Sequence, residues 1–166
     1  MEYKDFYGED EEKINFAYIH AMINKNKPTF IEGNYMGLLA TDVDEILNKF
    51  FGSTVPHETP SGNKYWFYQD GKFLMPAAFG DSYGQFSIAY NMLENSDGTY
   101  TIYFDVYSDT SVSGGDVLND NSVYSLTSDE AKNKYNPVGT GHTVVKTKVY
   151  EGKDTYEIIS YNVKNL

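Results

Sequence analysis

The sequence predicts an α+β domain in which two N-terminal helices cover one face of a curved antiparallel sheet of about six strands built from hairpins. Three observations predict it. Two amphipathic stretches, at about 11–25 and 42–51, come first, and three paired runs of period-two alternation follow. No segment alternates strand with helix as a parallel sheet requires.

Residues 1–10 read as a disordered lead to a single domain spanning 1–166. The acidic run Glu9-Asp10-Glu11-Glu12 suits the positive end of a helix dipole, and Phe16, Ile19 and Ile23 keep helical spacing until Asn26 and Pro28 stop it. Residues 29–40 carry a mixed pattern that supports a short strand or an irregular lead. Thr41 and Asp44 resemble a capping box for the second helix, whose stripe is Val43, Ile46, Leu47 and Phe50 and whose stop is Gly52.

Lys64 to Met75 turns at Asp70-Gly71, which pairs Tyr68 with Phe73 and Trp66 with Met75 and leaves both faces apolar. In the next hairpin, Phe86, Ile88, Tyr90 and Met92 alternate with polar or small residues, as do Tyr100, Ile102, Phe104 and Val106. A three-residue loop, Ser96-Asp97-Gly98, sets Met92 opposite Ile102, Tyr90 opposite Phe104 and Ile88 opposite Val106. That even-numbered face is the expected floor beneath the two helices, and the odd face with Tyr103, Asp105 and Tyr107 the expected solvent or partner surface. Residues 108–125 read as a long loop with a short edge strand near Val123. Thr127 and Glu130 form a capping box for a surface turn, and His142 to Lys164 is a hairpin around Gly152-Lys153-Asp154 of open register.

The 166 residues suffice to bury a core without staples, and with no cysteine there are neither disulfides nor thiolate sites. All 13 basic residues are lysine and the formal charge is −11, which argues against nucleic acid as a partner. No stretch is apolar enough to span a bilayer.

Catalytic motifs fail on context. Gly80-Asp81-Ser82-Tyr83-Gly84 fits the G-x-S-x-G serine pattern, but a loop precedes it and a strand follows, so it reads as a glycine-rich bend. His20, His57 and His142 lack metal-ligand spacing. Asp116, Asn119, Asp120 and Asn121 share a loop without the order of a calcium site, which leaves calcium there open. No catalytic residue, metal or cofactor is therefore assigned. Aromatic residues reach 16%, and those beyond the needs of a small core must cover edges or meet a partner. The candidate ligand-binding residues are Tyr65, Trp66 and Tyr68 from the aromatic run and Tyr103 and Tyr107 from the odd face, although core packing also explains such a run.

The segments Asp44–Gly52, Asp97–Phe104 and Tyr150–Tyr161 resemble uncharacterised lipoprotein-type domains exported by low-G+C Gram-positive bacteria, in which a helix ending in Phe-Gly precedes hairpins. The resemblance implies an extracellular or surface-anchored protein whose export signal has been removed, with a cytoplasmic location as the alternative. The expected function is a binding or interaction module without catalytic activity, facing a cell-surface glycan or protein. The alternative is a small-ligand or enzymatic domain of cystatin-like or nuclear-transport-factor-like type, with a pocket between helix 11–25 and the sheet.

Overall fold

A computed structural model describes residues 4–5, 9–25, 27, 29–61, 65–77, 83–113 and 121–166. Their packing divides the chain into two compact units, Gly8–Gly80 and Met1–Tyr7 with Asp81–Leu166. The architecture is α+β with antiparallel sheets, but the strands form two sheets, each with its own core, where the sequence predicts one.

Elements are numbered along the chain, and β1 (Lys4–Asp5) belongs to the second unit. In the first, α1 (Asp10–Asn24) and α2 (Ala40–Phe51) pack with β2 (Phe30–Glu32), β3 (Tyr35–Leu39), β4 (Phe67–Gln69) and β5 (Lys72–Pro76), in sheet order β2-β3-β5-β4. Ile14, Ala17, Tyr18 and Ala21 of α1 recur every three or four residues, as do Val43, Ile46 and Leu47 of α2. Both stripes join Met36, Leu38, Val55, Trp66 and Phe73 in one buried cluster. The Tyr18 hydroxyl donates to Met36 Sδ at 3.0 Å, which satisfies the polar end of a buried ring.

Two local expectations need correction. Thr41 does not cap α2: the helix starts at Ala40, Leu39 at its N-cap makes no side-chain bond, and the Ala40 N–H donates to the Gly71 carbonyl at 2.9 Å. Strand β3 runs straight into the helix, and the β4–β5 turn supplies the acceptor that a capping side chain would otherwise give. Residues 30–39 form a complete hairpin, turning at Gly33-Asn34 with Gly33 at φ 61°. Gly-Asn is itself a two-residue turn signal.

The second unit is a five-stranded antiparallel sheet, order β1-β9-β8-β7-β6, with β6 (Tyr83–Glu94), β7 (Tyr100–Ser113), β8 (Pro137–Tyr150) and β9 (Lys153–Asn165). The β6–β7 loop is the predicted one: Gly98 has φ 81°, the Asn95 N–H donates to the Thr99 carbonyl at 2.8 Å, and Met92 pairs with Ile102. Then Tyr90 bulges out, so that Ala89 pairs with Phe104, Ile88 with Asp105, Ser87 with Val106 and Phe86 with Tyr107. Tyr90 therefore does not face Phe104, nor Ile88 Val106. One extra residue on one strand inverts its side-chain parity beyond the bulge.

Phe86, Ile88 and Tyr107 consequently share a face and are buried under Val123 and Ala131, with Leu126 and Tyr135 packed around them. That cover is a 3₁₀ turn (Asn121–Ser125) and α3 (Ser128–Lys134), whose capping box at Thr127 and Glu130 forms as predicted. The short helix is thus a core lid where the sequence predicts a surface turn. The two N-terminal helices bury their stripes in the other unit, so the hairpin is not their floor. The expected loop from residue 108 is also shortened, because β7 continues to Ser113. The last hairpin turns at Glu151-Gly152 with φ 50° and 75°, which fixes its register at Lys146 opposite Glu157 and Lys148 opposite Thr155.

Gly139 and Gly141 lie within β8, where any side chain would have to enter occupied space. A Cβ on Gly141 would stand 2.3 Å from the Asn162 carbonyl oxygen and 2.7 Å from the Phe104 ring. Gly141→Ala is expected to cost about 2–3 kcal/mol in urea unfolding, as overpacking against backbone does, whereas Gly152→Ala in the exposed turn should cost about 1 kcal/mol.

Candidate functional site

The register of the five-stranded sheet sorts its side chains into two faces of different chemistry. On the face that carries the lid, Asn91, Tyr103, His142 and Asn162 are successive cross-strand partners on β6, β7, β8 and β9. The bulged Tyr90 adds its ring to this row. Its centroid is 6.3 Å from that of Tyr103, which is 6.0 Å from that of His142. Tyr90 is 46% exposed, and Lys132 of α3 lies 5.2 Å from the ring centroid while reaching Asp105 at 3.5 Å. The lysine fixes the ring to the lid through a cation–π contact and an ion pair.

On the opposite face, three neighbouring cross-strand rows lead up to the start of β8. Ser87, Val106, Gly139 and Asn165 form one, Ala89, Phe104, Gly141 and Val163 the next, and Met92, Ile102, Thr143 and Tyr161 the third. Two consecutive rows thus pass through a glycine on β8, and a strand without side chains at its centre leaves a trough. The Phe104 ring fills the space over Gly141 and stacks on Tyr161 at 5.3 Å with an interplanar angle of 14°. Beside that stack a cavity of about 440 Å³ remains. Val106, Val138 and Val163 give it apolar walls, Gln85, Ser87 and Asn165 neutral polar groups, and Tyr161 a ring, and Phe86, whose side chain is buried on the lid face, borders it along β6. Burial raises the Tyr161 phenol above its ordinary pKa, so it stays protonated across the neutral range.

The five candidate residues fall in both units. Trp66 is 1% exposed and belongs to the helix-covered core, where its centroid lies 5.4 Å from that of Tyr18. Tyr107 is fully buried beneath the lid, stacked on Phe86 at 5.6 Å, and burial followed by the neighbouring Asp105 charge raises its phenol. Tyr65 is exposed, Tyr68 is half-buried against His57 and Phe73, and Tyr103 sits at the centre of the ring row. Tyr90 and His142 were not among the candidates. Tyr90 is reached only through its bulge, and His142 only through the β7–β8 register.

The histidines occupy three unlike environments. His57 Nε2 lies 2.8 Å from Asp44 Oδ2, and its ring stacks on Tyr68 at 5.7 Å. No further hydrogen bond to His57 is present among the described residues, so this pair orients an imidazole without a nucleophile. His20 is half-buried between Phe16 and Phe50. Among the described residues no three His, Asp or Glu side chains gather as metal ligands. The Ser82 motif and Asp116, Asn119 and Asp120 lie outside the described residues. No helix among them is long and apolar enough to cross a membrane. No family model, curated protein or solved structure matches the chain.

Burial, then the charge of Lys49, lowers the His20 pKa below its ordinary 6.5. Between the two values the unfolded chain binds the proton and the folded chain does not, so stability falls as pH drops through that window. Urea unfolding at pH 7 and pH 5 is expected to show a loss toward acid that is smaller in His20→Gln.

Proposed function

We propose that the chain is a noncatalytic extracytoplasmic binding module that holds a neutral cell-surface glycan on the row Tyr90, Tyr103 and His142. The observation that carries this reading is the row itself: three adjacent rings on one sheet face, spaced 6.3 and 6.0 Å. A pyranose presents an apolar C–H face that packs on an aromatic ring, while Asn91, exposed beside the row, supplies an amide for hydroxyl groups. A net charge of −11 disfavours a polyanionic ligand and leaves a neutral one unopposed. The location outside the cytoplasm rests on the resemblance to exported lipoprotein-type domains. Helix α1 commits its buried residues to a core with Trp66 and Phe73, which favours a ligand on the five-stranded sheet over one against that helix.

A glycan array is expected to yield a neutral oligosaccharide whose affinity drops about 3- to 10-fold in Tyr90→Ala and again in Tyr103→Ala, the amount one ring contact contributes. Tyr90 is 46% exposed, so its variant should stay folded and lose about 0.5–1 kcal/mol with the Lys132 contact. Binding unchanged in both variants, or turnover of the bound glycan, would contradict the reading.

A further inference from the structure

We propose that the trough over Gly139 and Gly141 is a second binding site, independent of the ring row, for a small uncharged planar molecule with a hydrogen-bonding edge, such as a heteroaromatic amide. Its volume of about 440 Å³ falls within the roughly 300–1,000 Å³ range of small-molecule sites. The trough is built into the chain by the alternation Gly139-Thr140-Gly141, because both glycines point to this face and no other residue type fits at Gly141.

Its chemistry selects the ligand. In a chain with 37 charged residues, none lines the cavity, so an ion entering it would lose hydration without a counter-charge. Gln85, Ser87 and Asn165 make no side-chain hydrogen bond with another described residue, and each amide offers both donors and an acceptor. Phe104 backs Tyr161 and does not itself line the cavity, so a flat molecule on the cavity side of Tyr161 would extend an existing parallel stack. Valines 106, 138 and 163 then meet its remaining apolar surface.

The test uses two nearly isosteric probes, nicotinamide and nicotinate, titrated into the ¹⁵N-labelled full chain. Nicotinamide should shift the backbone amides of Ser87, Val106, Gly139, Val163 and Asn165, and nicotinate should bind at least about tenfold more weakly. Ser87→Phe, at an exposed position on the trough rim, should fill the site and weaken nicotinamide about tenfold, and Asn165→Ala should weaken it several-fold. Tyr90→Ala should leave nicotinamide binding unchanged, which separates this site from the glycan row. Equal shifts by both probes, shifts confined to other residues, preference for methyl glucoside over nicotinamide, or no response up to the solubility limit would each overturn the proposal. So would Asn165→Ala and Ser87→Phe both binding as the wild type does.

Discussion

The second unit depends on one residue's worth of slack, the bulge at Tyr90. Without it, Phe86 and Ile88 would share a face with Phe104 and Val106, and Tyr107 would point the other way. With it, Phe86 stacks on Tyr107 beneath α3, while Phe104, placed over Gly141 by the β7–β8 register, lies on the opposite face. Burying each of these rings contributes about 1.5–3 kcal/mol, so the bulge decides which face has a core. Bulges commonly sit at sheet edges and re-aim side chains, and β6 is an edge strand in which the extra residue is an exposed tyrosine.

The two faces that result differ in what they can hold. The lid covers only the Phe86 end of its face, and beyond it Tyr90, Tyr103 and His142 form a shallow aromatic row. On the other face the glycines of β8 let Phe104 lie against the backbone, an arrangement in which an aromatic ring occupies the place of a missing side chain. No charged side chain lines the trough, whereas Lys132 and Asp105 adjoin the row at Tyr90, and near the far end of the sheet Lys146 and Lys148 bracket Glu157 at 3.0 and 3.3 Å and hold its carboxyl below the ordinary range.

Much of the local structure was legible because it follows from short-range chemistry. The stripes of α1 and α2, the Asp70-Gly71 turn, the Gly98 loop and the Thr127 capping box each lie within a few residues of their cause. What the sequence hid is parity and partnership. A bulge leaves no mark in a run such as Phe86 to Met92, whose alternation is unbroken, so the even face looked continuous when it is split. The helix at Ser128 shows only Ala131 and Tyr135 as apolar, yet a small residue is what allows a short helix close to Phe86. Trp66 and Tyr68 look equivalent in one aromatic run, two residues apart on one side of a strand, but Trp66 lies just before β4 and enters the helix-covered core, while Tyr68 stays half-buried against His57 and Phe73. His142 joins the ring row through pairing between β7 and β8, far apart in sequence, and Tyr90 through the bulge, so neither is legible from local pattern.

Whether one sheet offers two unlike faces turns on the β6–β7 register, which cross-strand nuclear Overhauser contacts report directly. Backbone contacts should pair Ser87 with Val106 and Ala89 with Phe104, with none pairing Ile88 with Val106 or Tyr90 with Phe104. The reverse pattern would return Phe86 and Phe104 to one face, and both the lid core and the glycine trough would be wrong.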